Sequence, residues 1–158
     1  KPLYELAQAL LRGPSSLSEA ERELIAAFVS SENDCMFCMS SHAAAARCLY
    51  GSEAYLVDDV LNNMKQSAVS PKMKTLLHIA GKVQVLGKEV TEDAVAAARA
   101  AGADDREIHD TVLIAGTFCM FNRYVDGLAS FTPTDPLEYA EMGKRMTEKG
   151  YQLPQTPK

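Results

Sequence analysis

The placement of proline is the strongest constraint on what this chain can fold into. Its prolines are Pro2, Pro14, Pro71, Pro133, Pro136, Pro154 and Pro157, so Ser15–Ser70 and Lys72–Thr132 contain none. A proline inside a helix removes a hydrogen bond and clashes with the preceding turn, so its absence leaves helix open along both stretches. Alanine, the best helix former, occurs 22 times. Alternating β-branched runs of strand type are missing. The chain is predicted to be all-α, with seven to eight helices.

Caps and breakers set the expected boundaries. A helix over Pro2–Leu11 carries Leu3, Leu6, Leu10 and Leu11 on one side and stops at Arg12-Gly13-Pro14. The next starts at Ser18, with Glu21 completing a capping box, and carries Leu24, Ile25, Phe28 and Val29 as an apolar stripe. Asn33-Asp34 break it and are expected to cap a helix over Cys35–Leu49. Further helices are predicted over Glu53–Asn63, from Ser70-Pro71 to Gly87, from Thr91 to Gly102, from Asp104 to Ser130 and over Leu137–Gly150. Residues 1–150 are read as a single helical domain and 151–158 as a loose tail.

The chain's 158 residues suffice for one buried core. Lys and Arg number 16 against 21 Asp and Glu, a net charge of −5. No basic cluster interleaves with aromatics, so no nucleic-acid partner is expected. No apolar run approaches a membrane span. Lys1-Pro2-Leu3-Tyr4 has no basic-then-apolar leader pattern, and residues upstream of Lys1 are expected because it is not a methionine. Cys35, Cys38, Cys48 and Cys119 are too few for a disulfide scaffold, and a reducing, cytoplasmic setting is expected. In such a setting, closely spaced cysteines are more often redox-active or metal-binding than structural.

The constellation that carries chemistry is Cys35-Met36-Phe37-Cys38-Met39-Ser40-Ser41-His42. A C-x-x-C at a helix N-terminus puts thiols near unpaired backbone N–H groups and the positive dipole end, which favours the reactive thiolate. Spacings of three, four and seven bring Cys35, Cys38 and His42 to one helix face, where an imidazole can relay protons. Asp34 opposes this, because a carboxylate beside Cys35 raises its pKa. Competing readings are a packed core trio, a structural disulfide, and a zinc site with two thiolates and one imidazole. The zinc reading lacks an evident fourth ligand, since Cys48 is roughly 15 Å along the helix from Cys38.

Glu23 lies opposite the apolar stripe, beside Ala26, Ala27 and Ser30, where another helix can approach closely. It reaches Cys38 only if the cysteine helix folds back on its own. An internal echo runs at a constant offset of 84: Glu23, Cys35, Cys38 and His42 correspond to Glu107, Cys119, Asn122 and Asp126. The echo reads either as coincidence between two alanine-rich helical segments or as a duplication whose second copy has lost the chemistry and kept the scaffold. His78, among Leu76, Leu77 and Ile79, reads as core, and His109 as surface. Cys119 reads as core, and Cys48 as core or a spare thiol.

Arg22-Glu23-Leu24-Ile25, then Cys35-x-x-Cys38-x-x-x-His42 and an alanine-rich helix, resemble the alkylhydroperoxidase AhpD-like group of the carboxymuconolactone decarboxylase family. Phe121-Asn122-Arg123 is similar to its peroxidase-related branch. The resemblance covers roughly Leu17 to Leu128. It implies an all-helical fold, a homo-oligomer such as a trimer or hexamer, a peroxide substrate and an external thiol or dithiol reductant. It implies Cys38 as the peroxidatic thiol, Cys35 as resolving partner, and Glu23 and His42 as the proton relay. The residues themselves support the pairing and leave the order of the cysteines open. No cofactor or metal is expected. The alternative is a non-catalytic metal-binding or redox-sensing protein. One feature departs from the family pattern, and another bears on the choice of chemistry. Apolar Met36-Phe37 stands where peroxide-reducing members carry a polar residue, and decarboxylases proper lack the C-x-x-C.

Overall fold

The computed structural model describes residues 1–152. Among them the chain forms eight α-helices and no strand: α1 Pro2–Arg12, α2 Glu19–Glu32, α3 Met36–Tyr50, α4 Tyr55–Asn63, α5 Pro71–Val85, α6 Glu92–Ala100, α7 Asp105–Gly127 and α8 Pro136–Lys149. Short 3₁₀ turns follow α3 and α5. The all-α expectation holds. Ser18 and Glu21 form the anticipated capping box, and Asp104 and Glu107 form a second at α7. Ser70 and Thr91 cap α5 and α6 through their hydroxyls. No described helix is long and apolar enough to cross a membrane.

Helix α2 is the central strut. Its residues Arg22 to Ser30 are all buried, as expected of a helix covered on every side. It packs most extensively against α3 and also touches α1, α4, α5 and α7. Leu24, Ile25 and Val29 face the core with Leu76, Leu77, Ile79, Ile114 and Phe118. The small-residue stripe of Ala26 and Ala27 is wholly buried within the chain. On the other side of α3, α8 closes in through Gly143, which sits against Ala44 and Ala45 so closely that a Cβ would meet the Ala44 carbonyl carbon at 2.6 Å. The small residues of α2 and α3 are thus consumed by intrachain packing.

Several local expectations are corrected. Asn33-Asp34 do not cap α3. Its N-cap is Cys35, which makes no side-chain cap bond, while Asp34 takes a left-handed φ of 55° to turn the chain back. His78 is exposed rather than core, because it falls on the side of α5 turned away from Leu76, Leu77 and Ile79. Cys48 is exposed, the spare-thiol alternative, whereas Cys119 packs against the core. His109 lies on the surface beside Asp110. Of the segment expected to be a loose tail, Tyr151 is held in place by its backbone N–H donating to Gln8 Oε1 at 2.7 Å. Residues 153–158 lie outside the described residues.

Candidate active site

The tight turn at Asn33-Asp34 folds α3 back along α2, so α2 can present a side chain to the cysteine helix. Glu23 uses this. It is fully buried, and its Oε2 lies 2.6 Å from His42 Nδ1. Its Oε1 accepts from Arg12 Nη2 at 2.7 Å and from the Tyr151 hydroxyl at 2.6 Å. Burial alone would raise its pKa. The charge and hydrogen bond of His42, the Arg12 guanidinium and the Tyr151 donor outweigh that and hold it below the ordinary 4.5. The glutamate is therefore an anion, and it fixes His42 with Nδ1 toward the carboxylate. Nε2 is then the ring nitrogen left to serve chemistry. Phe118 meets the imidazole edge-on at 4.5 Å between centroids, and Tyr151 stacks on it at 5.9 Å.

Cys38 and His42, one helical turn apart on α3, both line an apolar cleft of about 160 Å³. Its walls come from α1 (Leu3, Ala7), α7 (Phe118, Phe121) and Tyr151. Cys35 does not share that face. As N-cap it stands outside the helix, with no exposed surface, while Cys38 keeps 5 %. Both carry free thiols, and each acts on the pKa of the other.

The expectation that the helix N-terminus favours thiolate is overridden by burial. Burial lifts the Cys35 thiol from 9.0 up to about 12, with the Cys38 thiol and the Asp126 hydrogen bond adding to it. Cys38 is also raised, again by burial first, with Asp126 adding to it, although hydrogen bonds from Cys35 and Asn122 act the other way. The carboxylate that reaches Cys35 is thus Asp126, at 3.3 Å from its Sγ, and not the adjacent Asp34 foreseen from the sequence.

Four site residues escape a reading of the C-x-x-C segment alone. Asn122 is buried and tied down on several sides: its Nδ2 donates to Ser30 Oγ at 2.9 Å and its Oδ1 accepts from Asn33 Nδ2 at 2.9 Å. It also reaches Cys38. Asn122 and Asp126 are the echo's counterparts of Cys38 and His42, so the echoing segment of α7 supplies residues around the cysteines and not scaffold alone. That offset was the signal that could have found them. Arg12 is legible in sequence only as part of a helix stop, and Tyr151 carries no sequence signal. Among the described residues, no group of three His, Cys, Asp or Glu side chains converges to hold a metal.

Residues 1–80 match a family model described as the carboxymuconolactone decarboxylase family. Two solved structures share the fold. An uncharacterized peroxidase-related protein from Silicibacter sp. TM1040 is 31% identical, the match covering 88% of this chain and 71% of that one, with a TM-score of 0.79. An uncharacterized peroxidase-related protein from Ralstonia eutropha JMP134, described as an alkylhydroperoxidase AhpD core, is 26% identical over 90% of this chain and 73% of its own, with a TM-score of 0.80. Comparison with curated proteins gives no match.

Proposed function

The chain belongs to the carboxymuconolactone decarboxylase family, and from that premise we propose that it is a thiol-dependent oxidoreductase of the alkylhydroperoxidase AhpD-like type. It reduces hydrogen peroxide or an alkyl hydroperoxide, or acts as a disulfide reductase, through the Cys35–Cys38 pair. The observation that carries this is that Cys38 and His42 line one cleft while Cys35, three residues before Cys38 and sealed from solvent, stays out of it. The same arrangement supports Cys38, not Cys35, as the attacker, an order the sequence leaves open.

In this reading the Cys38 thiolate attacks the O–O bond and becomes a sulfenic acid. His42, oriented by Glu23, delivers a proton to the departing oxygen, which leaves as water or an alcohol. Cys35 condenses with the sulfenic acid to a disulfide and water, and an external thiol or dithiol restores both cysteines. The setting is a reducing cytoplasm, and the working form is a homo-oligomer, a trimer or hexamer.

The test is a stoichiometric peroxide titration of the reduced protein followed by mass spectrometry. Wild type should yield a Cys35–Cys38 disulfide, Cys35→Ser a sulfenic acid on Cys38, and His42→Ala slower thiol loss. Because burial raises the Cys38 pKa above 9.0, the thiolate fraction is small at neutral pH, and the rate should climb as pH rises from 7 toward that range. Sulfenic acid on Cys35 in Cys38→Ser, with Cys38 inert in the converse variant, reverses the assignment. Thiols no faster than free cysteine end the peroxidase reading.

The raised thiol pKa values also favour a second reading, a slow redox sensor on the same scaffold. A Cys35–Cys38 disulfide that forms with peroxide but gives no catalytic turnover with an added dithiol would decide for it, and stoichiometric zinc in the purified protein would point instead to a metal-binding role.

A further inference from the structure

Asp126 is unused by the chemistry above, and its position is unfavourable on two counts. It sits in the last turn of α7, where helix electrostatics prefer a cation and where this helix has no basic residue. Its charge also opposes the Cys38 thiolate that the first step requires. Its contact is with the other thiol: Cys35 Sγ donates to Asp126 Oδ1 at 3.3 Å. Cys35 has no exposed surface, whereas Asp126 is exposed. The carboxylate therefore joins a sealed thiol to solvent.

The other titratable groups acting around Cys35 do not offer this. Cys38, on α3, is the sulfur it must join. Tyr139, on α8, donates its hydroxyl to Pro133 O at 2.9 Å, and its pKa is raised, chiefly by burial, with the two thiols adding to it. One turn back along α7, Asn122 serves Cys38, so this helix supplies one polar side chain to each cysteine.

We propose that Asp126 is the general base of the second thiol, taking the Cys35 proton as Cys35 Sγ attacks Cys38 and releasing it to water. This rests on the reading of Cys38 as attacker and Cys35 as resolver. In the resolving step Cys35–SH and Cys38–S–OH give the Cys35–Cys38 disulfide and water. The S–S bond forms and the S–O bond breaks, and the Cys35 sulfur is oxidised as the Cys38 sulfur is reduced. The Cys35 proton passes to Asp126, and His42 protonates the departing hydroxide. Asp126 then loses its proton to solvent and His42 regains one. A thiol raised to about 12 by burial is protonated at neutral pH, so a base in contact with it speeds the step.

The test uses 5,5′-dithiobis(2-nitrobenzoate) on the full chain carrying Cys48→Ser and Cys119→Ser, so that each released thionitrobenzoate reports one event. The first is attack by Cys38. The second is displacement by Cys35 from the mixed disulfide, which forms the protein disulfide and frees one proton. Asp126→Asn should leave the first release as fast or faster and slow the second by about a hundredfold at pH 7, the general-base scale. The deficit should shrink as pH rises, and Asp126→Glu should restore most of the rate. A second release at the parent rate, a deficit constant with pH, or first attack by Cys35 overturns the proposal. Because no peroxide is used, failure of peroxide reduction alone would leave this result standing, and the two failures are distinguishable.

Discussion

Glu23 shows how one residue's surroundings decide its role. A carboxylate in the first turns of a helix ordinarily does no more than favour the dipole. Here it is sealed from water with three donors, one of them the partly sealed Arg12 cation. Its pKa is held below the unfolded 4.5, so its stabilisation is present above about 4.5 and is lost as pH falls through the lower, folded value. Glu23→Gln leaves the Arg12 charge with only the half-exposed Glu19, at 3.3 Å from its Nε, as counter-ion, and breaking a buried pair costs about 3–5 kcal/mol. In thermal unfolding, the deficit of Glu23→Gln should be large at pH 7 and contract well below pH 4.5. An equal deficit at both pH values would mean that Glu23 is not the anion of this cluster. Glu23 was visible in sequence as a polar residue among small ones. Arg12 and Tyr151, which set its charge, were not, because they lie 11 residues before and 128 after it in the chain.

At the scale of elements, the site depends on two close approaches. The first is α3 on α2 through the Asp34 turn, which sets His42 against Glu23. The second is α8 on α3 through Gly143, and α8 leads directly to Tyr151. An alanine at 143 would favour helix by about 1 kcal/mol, but its Cβ would meet the Ala44 backbone at 2.6 Å and Ala44 Cβ at 2.8 Å. Backbone cannot swing aside as a flexible side chain can, so Gly143→Ala is expected to destabilise by about 1–3 kcal/mol, the range for overpacking. Urea unfolding measures this. A variant as stable as wild type would show that α8 yields freely. The caps and the helix order were legible because they depend on neighbours three or four residues apart. The α3–α8 contact was not, since nothing in Gly143's own surroundings in the chain marks it as a contact point.

At the scale of the whole molecule, the homo-oligomer that the family resemblance implies needs a face that intrachain packing leaves open. Leu3 and Tyr4 on α1 and Val112, Leu113, Met120 and Tyr124 on α7 remain exposed, a single-chain apolar face that another copy would cover. Light scattering at micromolar concentration should give a multiple of 17.2 kDa, and charged substitutions at Leu113 and Met120 should lower it. A monomer would refute the oligomer. The sequence by itself determined the all-helical class, the helix order and the Cys35, Cys38, His42 and Glu23 set, because periodicity, caps and C-x-x-C spacing are local or carried by a recognisable motif. Tertiary structure alone decided that Cys38 faces the cleft and Cys35 does not, that burial outweighs the helix dipole at both thiols, and that Asn122, Asp126, Arg12 and Tyr151 complete the site. Those outcomes depend on which surfaces lose water when α1, α7, α8 and the segment after it close around α3, and desolvation is a property of the packed molecule rather than of any segment of its chain.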